Sequence, residues 1–144
     1  MILKTEIPVR YAETDAMGVV YHANYLIWFE VARTEFLEAI GQPYVTFERK
    51  GVMSPVLHAE CDYGTPLRYG DTAFVYTKIT EVSGVRTVFE YEIYSHEQNP
   101  ETDKPCCSGK TIHCLVRKSD FKPLSMKKAA PDLYQAYLSV LETS

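Results

Sequence analysis

The sequence lacks the features that would assign it to a membrane, to the cell exterior or to nucleic acid. No apolar run in its 144 residues approaches the ~20 residues of a membrane span. The opening "MILKTEIPVRYAETD" has no long apolar core, so it does not read as a signal peptide. Four cysteines are present, Cys61, Cys106, Cys107 and Cys114, but there is no Cys-x-x-Cys pair. Adjacent Cys106 and Cys107 are poorly placed to pair with each other. His22, His58, His96 and His113 lie far apart and share no zinc-type spacing with the cysteines. These absences predict a cytoplasmic protein with reduced thiols and no metal site.

An excess of basic charge is also missing. Fifteen Lys and Arg stand against nineteen Asp and Glu, a net charge of -4, which argues against nucleic acid as the main partner. An anionic small ligand needs only a few well-placed cations and stays open. No internal repeat, low-complexity segment or domain boundary is evident, so residues 1–144 read as one domain.

What is present is apolar and aromatic. Hydrophobic residues make up 46% of the chain, with eleven tyrosines, six phenylalanines and one tryptophan. A domain of this length buries roughly two-thirds of the surface its unfolded chain exposes.

Periodicity divides the chain into elements. Leu3, Thr5, Ile7, Val9 and Tyr11 alternate with polar neighbours, which predicts a strand over 3–11, at an edge or ending because of Pro8. Tyr25, Phe29, Ala32, Phe36 and Ile40 repeat at helical spacing, and Gly41 and Pro43 stop the helix. Leu26, Ile27 and Trp28 make its first turn apolar beyond one stripe, which predicts burial on more than one side. Strands follow near 57–63, 72–82, 85–94 and 107–118, with Val85, Phe89, Tyr91 and Ile93 on one face and Ile112, Cys114 and Val116 inward. Pro131 opens a terminal helix carrying Leu133, Tyr134, Tyr137, Leu138 and Leu141. Strands joined by hairpins with one long helix after the first strand predict an α+β fold, the helix covering one face of an antiparallel sheet.

The segment "YAETDAMGVVYHANYLIWFE", residues 11–30, carries the most specific pattern. It resembles the signature of the 4-hydroxybenzoyl-CoA thioesterase family, in its YbgC-like acyl-CoA thioesterase branch. The matching core is Asp15, Gly18, Val20, His22, Asn24 and Tyr25, continued by Trp28, Phe29 and Glu30. "PLRYGD" (66–71) and "SGVRTVFEYEIY" (83–94) are weaker local matches. The resemblance implies a hotdog fold, a curved antiparallel sheet wrapped around one long central helix. It implies homodimers, often paired into homotetramers, with active sites at subunit interfaces. It also implies an acyl-CoA substrate in acyl-group (lipid) metabolism, and no metal or redox cofactor.

Thioester hydrolysis needs an attacking oxygen and a way to hold charge on the carbonyl oxygen. Asp15 is the candidate for the first, as nucleophile or as base for a water. Free N–H groups at a helix start, at the positive end of its dipole, can meet the second need. By the family's pattern the donor is the His22 N–H, and Gly18 lets the chain turn between the two. Tyr21, His22, Asn24 and Tyr25 would shape the pocket. Arg86 and Thr87 match a position where the family contacts coenzyme A; Arg68, Lys110 and Lys118 are further candidate cations.

Each residue also has a plainer reading. Taken alone, Asp15 is a helix cap or turn residue; the surrounding motif turns it into the reagent. Asn24 could cap the helix, His22 could be a bonded core histidine, and Arg86 a solvated hairpin arginine. A sister group of hotdog thioesterases uses a glutamate on the central helix, which makes Glu30 and Glu35 the second choice. Two other functions share the fold: a non-catalytic acyl-CoA-binding module, and a 3-hydroxyacyl thioester dehydratase. A lone 144-residue chain has no room for the output domain a sensor needs, and the dehydratase motif is absent. The sequence does not choose between coenzyme A and acyl carrier protein.

Overall fold

A computed structural model describes residues 1–142. Five strands form one antiparallel sheet: β1 (Leu3–Pro8), β3 (Val56–Tyr63), β4 (Thr72–Val82), β5 (Thr87–Ser95) and β6 (Cys107–His113), in the order β1-β4-β5-β6-β3. Two-residue strands β2 (Val52–Met53) and β7 (Val116–Arg117) pair separately. The long helix α1 (Asn24–Ala39) lies on one face of the sheet, and its Tyr25, Trp28, Phe29, Ala32, Phe36 and Leu37 are buried. This is the hotdog arrangement.

β1 is an edge strand and ends at Pro8, a residue with no N–H to give a ladder. The predicted continuation to Tyr11 does not occur. Tyr11–Glu13 is a 3-10 turn and Tyr11 is 76% exposed. The Glu13 carboxylate accepts the Arg10 N–H at 2.8 Å, which curls the chain out of the strand direction.

Helix α1 stops as expected, with Gly41 at φ +75°, a left-handed conformation that favours glycine. Its last predicted stripe residue, Ile40, lies just past the helix and is only partly buried. The first turn corrects the sequence reading: Trp28 is buried, but Leu26 and Ile27 are exposed in the single chain.

Under α1, Phe29 stacks on Tyr91 with ring centroids 4.2 Å apart and planes 7° apart. Gly109 of β6 makes room for it: a Cβ there would stand 2.7 Å from the Phe29 ring and 2.2 Å from the Glu60 carbonyl oxygen. That fit fixes the register of β6 and overturns its predicted inward face. Cys107, Thr111 and His113 are the buried residues, whereas Ile112 and Cys114 are only partly buried. Val116 is buried as expected but belongs to β7. Buried Thr111 and His113 are bonded: Tyr91 Oη meets Thr111 Oγ1 at 2.7 Å and His113 Nε2 meets it at 2.8 Å, which offsets the cost of burying them.

In β5, Phe89, Tyr91 and Ile93 face the core, while Val85 sits exposed in the 83–86 turn. Helix α2 (Tyr44–Lys50) was not anticipated, although Pro43 and Gly51 bracket it. After α3 (Met126–Ala129), α4 (Pro131–Ser139) starts with proline at its first turn; Leu133 and Tyr137 are buried, Leu138 is exposed and Leu141 lies beyond the helix.

Candidate active site

The loop between the Tyr11–Glu13 turn and α1 is a closed hydrogen-bonded unit. An antiparallel bridge joins Thr14 to Val20. Within it, Asp15 N–H donates to Val19 O at 2.8 Å and Gly18 N–H to Asp15 O at 3.0 Å. Asp at the first and Gly at the fourth position is the residue pattern of a tight turn. The Asp15 Oδ1 accepts the Met17 N–H at 2.8 Å, as short acidic side chains do in turns. Gly18 has φ +76° with open space where a Cβ would stand, so backbone freedom alone requires glycine here. Asp15 does not cap α1: the residue before the helix is Ala23, with no side-chain cap.

The helix start supplies free donors. Among the described residues, neither the His22 nor the Ala23 N–H makes a hydrogen bond. The carbonyls of the same two peptide units are engaged: Tyr21 O accepts the Asn24 N–H at 2.9 Å, and His22 O accepts the Tyr63 hydroxyl at 3.1 Å. Such engagement polarises the peptides and strengthens their N–H groups as donors.

The other predicted residues divide into those gathered here and those held elsewhere. Tyr21 and His22 are exposed, their rings 4.5 Å apart; His22 is therefore not a core histidine. Asn24 neither caps the helix nor points free: its Nδ2 donates to Glu13 O at 2.8 Å. Tyr25 is buried, with its hydroxyl accepting the Leu67 N–H at 3.4 Å. Burial pushes its pKa up to about 12, so it stays protonated. Arg68 follows Leu67, whose carbonyl accepts the Val20 N–H at 2.9 Å, so its backbone adjoins the loop.

Arg86 and Thr87 lie at the other end of the sheet. Thr87 pairs with Val82 and His113, whereas the loop's end of β5 is marked by the rung Ile93–Cys107–Tyr63. Six residues of strand separate the two, ~20 Å. Three of the candidate cations are already ion-paired: Arg86 to Glu81, Lys110 to Glu60 and Lys118 to Glu48. Arg68 has no ion pair among the described residues.

The second-choice acid is committed elsewhere. Glu30 accepts both Arg33 Nη2 contacts, at 2.9 and 2.8 Å, and the Tyr44 hydroxyl at 3.0 Å. Burial pushes its carboxyl up, but these bonds and the Arg33 charge hold it below the ordinary range. Glu35 is exposed. Glu30, Arg33 and Tyr44 line a cavity of about 410 Å³ with Phe47, Met53 and Lys118.

Two contributors were not singled out from sequence. Tyr63, at the end of β3, contacts the His22 carbonyl, and Glu13 is a buried acid bonded to Trp28 Nε1 at 2.8 Å. Glu13 lies inside the 11–30 motif, which was the one available signal; nothing in the β3 pattern pointed to Tyr63.

Comparison with known proteins agrees with this fold and loop. The model of the thioesterase-like superfamily matches residues 9–136. The YneP protein of Bacillus subtilis strain 168, provisionally named an acyl-CoA thioesterase, is 46% identical over 136 residues, covering 94% of this chain and 95% of its own. The acyl-CoA thioesterase YbgC of Helicobacter pylori is 32% identical over 131 residues, covering 89% and 96%. The crystal structure of a DHNA-CoA thioesterase from Staphylococcus aureus superposes with a TM-score of 0.87 at 36% identity, covering 96% of this chain and 90% of that one. Over residues 9–136, from just after β1 into the terminal helix, the chain belongs to the thioesterase-like superfamily, and its relatives and fold are those of hotdog thioester hydrolases.

Proposed function

We propose that the chain hydrolyses acyl-CoA thioesters, with Asp15 as the attacking or activating carboxylate and the His22 N–H as the oxyanion donor. One observation carries the reading: a carboxylate and two unpaired helix-start N–H groups belong to one closed loop.

Two routes use these groups. In one, the Asp15 carboxylate attacks the thioester carbonyl carbon, the C–S bond breaks, and the thiolate of coenzyme A leaves. Water then cleaves the mixed anhydride to free acid and Asp15. In the other, Asp15 takes a proton from water as its oxygen attacks, and collapse of the tetrahedral intermediate expels the thiolate. In both, negative charge develops on the carbonyl oxygen. A preorganised N–H there is worth ~3 kcal/mol of barrier, and the positive end of the α1 dipole adds to it.

The reading includes a subunit interface. Strand β3 is an edge, and its eight residues are exposed or only partly buried. An open edge of this kind is a template for pairing. Leu26, Ile27 and Val31 of α1 and Val56 and Leu57 of β3 are exposed as well, an apolar surface suited to a second copy. Two β3 strands paired antiparallel and centred on each other would set Tyr63 opposite the partner's Val56. Val56 shares a rung with His113 and Thr87, two strands or ~10 Å in from the edge. This pairing would carry the partner's Arg86 and Thr87 toward the Asp15 loop, where they and Arg68 could meet the nucleotide phosphates. A homodimer, or a homotetramer built from it, follows.

A thiol-release screen over short-chain, aromatic and long-chain acyl-CoAs tests the function, with acyl carrier protein thioesters as a second carrier. Stoichiometric release of free thiol and acid is expected for one substrate class. Tight acyl-CoA binding with no thiol release would favour the binding module. Hydration of an enoyl thioester without free thiol would favour the dehydratase.

A further inference from the structure

Glu13 ties together both ends of the loop that carries Asp15 and His22. Its carbonyl accepts the Tyr21 N–H at 2.9 Å and Asn24 Nδ2 at 2.8 Å. Its carboxylate accepts the Arg10 N–H on Oε1 at 2.8 Å and Trp28 Nε1 on Oε2 at 2.8 Å. The first pair holds the far end of the loop and the first residue of α1. The second pair holds the near end and the second turn of α1. The residue is 7% exposed, and acids are almost never this buried unless paired.

We propose that Glu13 is a positioning residue for thioester hydrolysis, fixing the separation and facing of the Asp15 carboxylate and the His22 N–H. The inference rests on the roles given to those two residues above. The chemistry needs an ionised acid here because both carboxylate oxygens face N–H donors. An amide of the same shape presents one oxygen and one NH₂, so it leaves a buried donor facing a donor. Burial pushes the Glu13 carboxyl up, but the bonds from the Arg10 backbone and Trp28, with the Arg10 charge, hold it below the ordinary range. It is therefore ionised at neutral pH. Arg10 itself is largely exposed and 3.5 Å away, so the two N–H bonds matter more than that ion pair.

The test compares steady-state hydrolysis by Glu13→Gln, Trp28→Phe and Asp15→Asn, with folding checked by near-UV circular dichroism. Glu13→Gln is expected to lower kcat about 10- to 100-fold, the cost of small misplacements in an assembled site, with KM within about threefold. Trp28→Phe should lower kcat in the same sense. The double variant should fall within about twofold of Glu13→Gln alone, because Trp28 acts through its bond to Glu13. A folded Glu13→Gln with wild-type kcat, beside an inactive Asp15→Asn, overturns the proposal alone. A fully active Asp15→Asn overturns the reading of the site and this proposal with it. If Glu13→Gln does not fold, a folded Trp28→Phe with wild-type kcat shows a purely structural role and overturns it too.

Discussion

The Tyr63 hydroxyl donates to the His22 carbonyl across 3.1 Å, joining the end of edge strand β3 to the start of α1. The His22 carbonyl and the Ala23 N–H belong to one peptide unit, so this bond strengthens a free donor beside the proposed oxyanion position. It also links the Asp15 loop to the edge through which, on the proposed reading, a second copy would pair.

Tyr63→Phe is expected to lower kcat about fivefold, the effect of one net hydrogen bond of ~1 kcal/mol. The thermal midpoint should change little, since Tyr63 is half-exposed. Steady-state kinetics beside a melting curve check both; an unchanged kcat would remove Tyr63 from the site.

The Glu30–Arg33 ion pair on α1, buried only on its arginine side, should respond unequally to loss of its two members. Arg33 is 4% exposed, and among the described residues its Nε and Nη1 have no partner. Glu30 is half-exposed and supplies its counter-charge. Glu30→Ala leaves an uncompensated buried cation and should cost about 2 kcal/mol, less than a fully buried pair because solvent screens the Glu30 side. Arg33→Met leaves a carboxylate that can reach water and should cost about 1 kcal/mol or less. Urea unfolding of both variants checks the order.

His113 is expected to make stability fall on the acid side of neutrality. It is buried against Phe89, with Thr111 on Nε2, the Ser54 carbonyl near Nδ1, and Arg33 and Glu30 beyond. Burial, then the Arg33 charge, push its pKa down to about 4, whereas the Ser54 carbonyl and Glu30 oppose that shift. The unfolded chain binds this proton near pH 6.5, so stability is complete above that pH and declines as pH falls toward 4. The loss reaches at most ~3 kcal/mol, about 1.4 for each pH unit between the two values. Urea unfolding at pH 7 and pH 5 should show a decline in the wild type that is smaller in His113→Gln.

Much of the fold was legible because periodicity reports burial. The α1 stripe, the β4–β5 hairpin and the stop at Gly41 follow from residue spacing and backbone freedom. The inward face of β6 was not, because a glycine fitted under Phe29 decides it and hydropathy scores Ile112 above Gly109. The first turn of α1 misled for a related reason: Leu26 and Ile27 are apolar yet exposed in the single chain. In the loop, the motif pointed to Asp15, Gly18 and His22. It could not give the burial of Glu13 or the reach of Tyr63, which depend on contacts across 15 and 41 residues of sequence.

Asp15→Asn tests the central claim most directly, because it keeps the shape of the turn and removes the charge. Thiol release and acyl-CoA binding should be measured on the same folded protein. Loss of kcat by about 100-fold or more, the usual worth of such a group, with binding within about threefold, is the predicted result. Hydrolysis at the wild-type rate would contradict the account.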